Sequence, residues 1–210
     1  MKTATQIVDE LIDLGDEKIA AHSQRFFKTG KGEYGEGDRF LGIRVPILRG
    51  LSRQYKQVSP IVIERLISSE YHEARLLAVY ILVLRYKKAK TADQQKAIVD
   101  FYRQHLKSIN NWDLVDSSAH YILGAYLFDK GKEVLYEMAG SKDLWERRIA
   151  IMSTFYFIKR GVFDDALALS KILLNDTHDL IHKAVGWMLR EIGKREKSIE
   201  ENFLLDHYKT

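Results

Sequence analysis

The 210-residue chain contains no cysteine, which excludes a disulfide framework, a zinc–thiolate site and an iron–sulfur cluster. It contains only two prolines, and both stand where a helix could begin: Pro46 follows a glycine-rich stretch, and Pro60 follows Ser59 as a candidate N-cap. Long apolar runs are also lacking, because the longest, Leu76–Leu84, is far shorter than the roughly 20 residues of a membrane span. The N-terminal segment is rich in acidic residues and has no signal-like apolar stretch, so we expect an unprocessed, soluble, cytoplasmic protein.

The net charge of +4 is small, but the charge is unevenly distributed. Residues 45–110 hold 12 Lys and Arg against 5 Asp and Glu, whereas residues 111–146 hold 3 against 7. A basic block within folded helices favours an anionic partner such as a nucleic-acid backbone. The alternative is a set of solvated helix faces with no partner.

Apolar residues recur at spacings of three and four along most of the chain, and no segment alternates with period two. This pattern predicts an all-α protein. The predicted helices lie near residues 3–14, 16–28, 45–56, 60–68, 71–88, 92–106, 112–128, 131–139, 143–160, 163–174, 178–193 and 196–207.

Three of these helices begin with similar sequences, around Arg75, Arg148 and Lys183, at spacings of 73 and 35 residues. A repeat of this length built from helix pairs is typical of HEAT and ARM-like solenoids. We therefore predict an α-α superhelix with a concave groove, formed by a single domain over residues 1–210. Within it, residues 1–44 form N-terminal helices and a glycine-rich loop, and residues 45–210 form the paired repeats.

Residues 30–42 contain five glycines and are the one clearly irregular segment. They lack the spacing of a phosphate-binding loop and no strand precedes them, so a nucleotide cradle is the weaker of two interpretations. The other, which we adopt, is a connector that docks Phe40, Leu41 and Ile43 onto the first repeat.

The segment Asn110–Ala119 is the most informative in the chain. Trp112 and Asp116 are four residues apart, which places them on one face of a helix, and Asp113 lies in its first turn. An aromatic platform beside a carboxylate suits a flat cationic ligand or a developing positive charge. The alternative is a core tryptophan with a capping aspartate.

Other combinations of polar residues give weaker indications of a functional site. His178 and His182 have the spacing of two zinc ligands, but no third ligand is evident, and we predict no metal and no cofactor. Ser117 and Ser118 beside His120 do not define a catalytic triad without a fold. The basic run 85–90 reads either as a helix C-terminus or as a phosphate clamp.

Four blocks, at residues 34–51, 110–116, 145–151 and 182–191, resemble in order those of the bacterial DNA alkylation repair family, the AlkD-like HEAT-repeat DNA glycosylases. That resemblance implies excision of cationic N3- and N7-alkylated purines from duplex DNA, without a metal or cofactor. It implies that Asp116 is the catalytic carboxylate, that Trp112 and Trp187 lie against the exposed nucleotide, and that Arg148 is the groove arginine, which holds a phosphate or orients Asp116.

The resemblance also implies a set of DNA contacts outside this centre, with a phenylalanine where the family pattern has a tyrosine on an N-terminal helix. The set is Phe26, Phe27, Arg44, Arg75, Asp113, Lys183 and Arg190. The first 44 residues are nearly neutral, with 7 basic against 8 acidic residues, so they contribute little phosphate neutralisation.

The resulting hypothesis is a monomeric alkylpurine DNA glycosylase of the bacterial cytosol, associated with the nucleoid when bound to alkylated double-stranded DNA and not with membranes. The rival hypothesis is a catalytically weak or inactive HEAT-repeat scaffold that binds nucleic acid or protein through the same groove.

Overall fold

A computed structural model describes residues 2–208, and these form helices and loops without a β-strand. The all-α prediction is confirmed. The helices are α1 (Ala4–Asp13), α2 (Glu17–Phe26), α3 (Val45–Gln54), α4 (Pro60–Ile67), α5 (His72–Lys88), α6 (Ala92–Gln104), α7 (Trp112–Asp116), α8 (Ala125–Leu127), α9 (Glu133–Ala139), α10 (Leu144–Ser153), α11 (Phe155–Ile158), α12 (Asp164–Ile172), α13 (Asp179–Gly193) and α14 (Lys197–His207).

Helix starts follow the local sequence. Pro46 and Pro60 lie in the first turns of α3 and α4, as predicted, where a missing N–H costs nothing. Polar side chains cap other helices: the Asp16 carboxylate accepts hydrogen bonds from the second and third N–H groups of α2, and Asp143 does the same for α10.

The described chain forms two compact units, residues 2–114 and 115–208. In the first unit, α5 is the central helix and packs against α1, α3, α4 and α6. Every residue from 72 to 79 is buried, so the apolar run of α5 belongs to the core. In the second unit, α10 and α13 pack against each other and against the shorter helices. The single domain and the concave groove stay predictions.

The glycine-rich segment is a connector, as predicted. Phe40 and Ile43 are buried in the first unit, and the Glu73 carboxylate accepts hydrogen bonds from the backbone N–H groups of residues 41, 42 and 43. Gly42 has φ +84°, and a Cβ there would lie 2.1 Å from the Asp16 carbonyl oxygen. Only glycine fits at this turn.

The helix predicted over 112–128 is interrupted. α7 ends at Asp116, and a π-helical segment, His120–Gly124, precedes α8. A Cβ on Gly124 would lie 2.2 Å from the carbonyl oxygen of Ser153, so glycine permits this segment to approach α10 closely. The helix predicted over 143–160 is likewise divided, at Thr154, into α10 and α11.

Candidate functional site

The first unit contains a stack of aromatic rings that ends at Trp112. The ring of Phe27 lies 5.0 Å from that of Trp112 with an interplanar angle of 8°, and Phe26 meets Trp112 edge-on at 5.9 Å. Phe26 is 57% exposed and Trp112 is half-buried. Trp112 is therefore part of an aromatic surface rather than a plain core residue, and the two N-terminal phenylalanines named from the sequence lie beside it.

The stack continues inward to a histidine. Phe27 also stacks on Phe40 at 4.8 Å, and Phe40 stacks on His72 at 4.3 Å with an angle of 21°. We call these four rings, from Trp112 through Phe27 and Phe40 to His72, the aromatic stack. Offset ring pairs of this kind hold one another in orientation. The surface tryptophan is thus supported by three rings behind it.

His72 is the centre of a buried polar network. Its Nδ1 lies 2.9 Å from the Asp38 carboxylate, and its Nε2 lies 2.8 Å from the Asp113 carboxylate. Burial alone lowers the pKa of His72, but the charges and hydrogen bonds of Asp113 and Asp38 outweigh it and raise that pKa to about 9. His72 is therefore an imidazolium at neutral pH, with both ring nitrogens donating.

Arg75 belongs to the same network. It is buried, and its guanidinium donates to the Asp38 carboxylate and to the backbone oxygens of Ser69, at 2.8 Å, and Glu70, at 3.2 Å. This placement corrects the DNA-contact assignment made from the sequence, because Arg75 presents no exposed cation for a phosphate. The Asp113 carboxylate, also predicted to contact DNA, is hydrogen-bonded to His72 in the same network.

The second unit contains a carboxylate–arginine pair. The Nε and Nη2 atoms of Arg148 donate to the two carboxylate oxygens of Asp116, at 3.0 and 2.9 Å, and its Nη1 donates to the backbone oxygen of Leu180. The Asp116 side chain is 17% exposed, whereas Arg148 is buried. Of the two roles considered for Arg148, the geometry favours orienting Asp116 over holding a phosphate.

Trp187 lies in the same unit, half-buried on α13. Its ring is 5.7 Å from that of Phe155, and the Lys159 ammonium lies 4.0 Å from the centre of the Phe155 ring. The sequence interpretation missed Phe155 and Lys159. Their spacing of four residues explains their own contact, but the approach of Phe155 to Trp187 is a contact between α11 and α13 that no local pattern marks.

The remaining predicted cations, Arg44, Lys183 and Arg190, are exposed. Lys183 pairs with Asp179 at 2.6 Å, one helical turn away. These three side chains are accessible to solvent, and their contact with a phosphate backbone stays a prediction.

The repeat register inferred from the sequence is displaced by one residue. The Nη1 of Arg147 donates to the backbone oxygens of the residues six and five positions before it, Ser141 and Lys142, and its guanidinium pairs with Asp176. Arg75 makes the same pattern with the oxygens six and five positions back and with an aspartate. Arg147, and not Arg148, is thus the counterpart of Arg75.

The histidines His178, which caps α13, and His182, in its first turns, have local structural roles. The Nδ1 of His178 accepts a hydrogen bond from the N–H of Leu180 at the start of the helix, and the His182 ring contacts the backbone oxygen of Asp176. Residues 2–208 contain no group of three or more His, Asp or Glu arranged to hold a metal ion. Among those same residues, no helix has the length and apolar character needed to cross a membrane.

Comparison with known proteins gives one family and several solved structures. The sequence model of the family described as DNA alkylation repair enzyme matches residues 7–210. A structure described as a predicted DNA alkylation repair enzyme from Enterococcus faecalis is 17% identical, with a TM-score of 0.68 over 91% of this chain and 89% of its own. AlkD2 from Streptococcus mutans is 18% identical, with a TM-score of 0.55 over 90% of this chain and 88% of its own. No curated protein matches the chain. The solved structures share its fold.

Proposed function

The chain belongs to the DNA alkylation repair enzyme family, and from this premise we propose that it is a DNA glycosylase that hydrolyses the N-glycosidic bond of cationic N3- and N7-alkylated purines in duplex DNA. Family membership supports an enzyme of DNA repair. The bond that it cleaves and the substrate that it selects are the content of the proposal.

The bidentate pair of Asp116 and Arg148 is the observation that carries the proposal. An alkylated purine already bears a positive charge, so its glycosidic bond breaks with both electrons leaving on the base, which becomes neutral. The sugar then develops oxocarbenium character, and a carboxylate nearby stabilises that charge. Asp116 is partly exposed, and Arg148 fixes both of its oxygens.

Water completes the reaction. A water molecule adds to the anomeric carbon and loses a proton, and the Asp116 carboxylate is the group proposed to orient that water and receive the proton. Because Arg148 is buried and also donates to Leu180, the carboxylate is positioned before substrate arrives and little reorganisation is needed.

The tryptophans support selection of a cationic base. Trp112 and Trp187 are both half-buried, so each leaves part of its indole accessible to a ligand. An indole face attracts a cation more strongly than it attracts a neutral purine. We propose that each contacts the damaged nucleotide or its neighbours, with Phe26 and Phe27 beside Trp112.

The proposed partner is alkylated double-stranded DNA, bound by a monomer in the bacterial cytosol without a metal or cofactor. The exposed cations Arg44, Lys183 and Arg190 are proposed to neutralise phosphates. The nearly neutral N-terminal 44 residues are expected to contribute stacking rather than charge.

The test is release of N7-methylguanine from a duplex that contains it, under single-turnover conditions. We expect the unmodified protein to release the base and Asp116→Asn to lower the rate by about 100-fold or more. Asp129→Asn is the matched control, because Asp129 is an exposed aspartate of the same unit, and its rate is expected to be unchanged.

Absence of release at high protein concentration, with duplex binding intact, would overturn the enzyme and favour the scaffold that binds nucleic acid without catalysis. Equal rates for Asp116→Asn and the unmodified protein would overturn the assignment of Asp116 alone.

A further inference from the structure

The first unit contains a cavity that the proposed function does not use. It lies between the α3–α4 loop, the C-terminal part of α5 and one face of α6, and its volume is about 770 Å³. Ligand pockets commonly measure about 300–1,000 Å³. None of the residues that line this cavity belongs to the aromatic stack.

The cavity walls are largely apolar. The loop contributes Val58, the first turn of α4 contributes Pro60, and α5 contributes Leu82. Helix α6 contributes a stripe at helical spacing, which consists of Gln94, Ala97, Ile98 and Phe101. None of these four residues is fully buried, so this face of α6 is not covered within the unit. The cavity can therefore accept an apolar group.

All charged residues that line the cavity are positive. They are Lys56, Arg85 and Lys88, and no Asp or Glu lines it. A lining of this composition complements a ligand that carries negative charge around an apolar part, because the three cations attract negative groups and repel a cationic ligand.

Arg85 strengthens this argument. Its Nε donates to the backbone oxygen of Lys56 at 2.9 Å, and its Nη2 donates to that of Val58, but it pairs with no carboxylate among residues 2–208. Partial burial lowers the pKa of the Arg85 guanidinium. A half-buried cation without a counter-charge is costly, and an incoming carboxylate would offset that cost.

We propose that this cavity is a docking site for an acidic peptide segment of a partner protein. The segment inserts a bulky apolar side chain between α5 and α6 and places carboxylates against Arg85, Lys56 and Lys88. A duplex backbone supplies negative charge but no apolar group able to fill the cavity, so the chemistry favours a peptide. The proposal does not depend on glycosylase activity.

The probe is a fluorescein-labelled peptide with four Asp residues flanking one Leu and one Phe, titrated with the full chain and followed by fluorescence anisotropy. Saturable binding is expected. Lys88→Glu, at the exposed rim, and Ala97→Trp, which fills the space beside α6, are each expected to weaken binding by about tenfold or more.

Two controls separate docking from general attraction between opposite charges. Lys107→Glu changes the net charge as much as Lys88→Glu does, but Lys107 is exposed and does not line the cavity, so its affinity is expected to stay within about twofold. A peptide with Ser in place of Leu and Phe is expected to bind at least about tenfold more weakly.

Four results would overturn the proposal. Three of them are the absence of saturable binding, equal weakening of peptide binding by Lys88→Glu and Lys107→Glu, and equal affinity of the Ser peptide and the original peptide. The fourth is competition by undamaged duplex DNA, with Lys88→Glu weakening DNA binding as much as peptide binding. The last result would assign the rim to phosphate contacts. Failure of glycosylase activity affects none of these measurements.

Discussion

Each unit has a carboxylate network and a half-buried tryptophan, but the cation in the network differs. In the first unit, the cation is His72, which lies between Asp38 and Asp113. In the second unit, it is Arg148, which holds Asp116. A histidine can lose its charge in the accessible pH range, whereas an arginine cannot. The same ionic motif can therefore couple stability to pH in one unit, through His72, and hold a carboxylate with a permanently charged partner in the other.

Removing the cation of the first unit is expected to cost more stability than any other change considered. His72→Leu leaves the Asp113 carboxylate without its partner, and Asp38 keeps only Arg75 as a charged partner. We expect a loss of about 3–5 kcal/mol in the free energy of unfolding, measured by urea denaturation at neutral pH. Arg148→Leu is expected to cost less stability, because the Asp116 side chain is partly exposed, but to abolish most base release. A greater stability loss from Arg148→Leu would reverse the comparison.

The second prediction concerns pH. The pKa of His72 is about 9 in the folded state and about 6.5 in the unfolded chain, so the histidine binds its proton more tightly when folded. This contribution is complete below about pH 6.5 and is lost as pH rises through about 9. Over that range we expect a loss of about 3 kcal/mol, measured by urea denaturation at a series of pH values. His72→Gln should flatten the profile, and an unchanged slope would contradict the assignment.

The third prediction tests the close approach within the second unit. Gly124→Ala would place a methyl group against the Ser153 backbone oxygen, and we expect a loss of about 1–3 kcal/mol in the free energy of unfolding. Gly186→Ala is the matched control, because nothing lies within 4 Å of a Cβ there. That substitution should stabilise helix α13 by about 0.5–1 kcal/mol. Both changes in stability are measured by thermal unfolding. Equal changes for the two variants would mean that the backbone of the π-helical segment can move to accommodate the added methyl group.

Removing an exposed cation should change DNA binding slightly and leave stability as it is. Lys183→Ala should leave the unfolding midpoint unchanged, because its pair with Asp179 is at the surface. For a duplex probe, it should make the negative slope of log affinity against log salt concentration smaller in magnitude by about one. Arg75→Ala should do the opposite, with lower stability and an unchanged slope. If both variants had the same salt dependence, the exposed Lys183 and the buried Arg75 would not differ in their contribution to phosphate binding.

Much of the fold could be predicted from the sequence because its signals are local. The spacing of apolar residues predicts helices, Pro46 and Pro60 mark two helix starts, and the glycines near residue 42 mark a connector. The interruption after Asp116 escaped prediction, since the approach of Gly124 to Ser153 is a tertiary contact. The register of the repeats was wrong by one residue because two arginines, Arg147 and Arg148, stand side by side.

In the candidate site, too, some residues could be predicted from the sequence and others could not. Family resemblance led to Phe26, Phe27 and Trp112, which the structure brings together. The network behind them was not predicted, because His72 is separated from its two carboxylate partners by 34 and 41 residues. A single sequence has no local pattern that pairs groups so far apart.

The anchoring of residues 41–43 by Glu73 bears on the order in which the chain can fold during synthesis. The carboxylate that fixes this loop is made about 30 residues after the loop itself, on the central helix of the first unit. Loop closure over such a distance must precede the contacts that reward it. We therefore expect α1 and α2 to remain undocked on a nascent chain until α5 has left the ribosome.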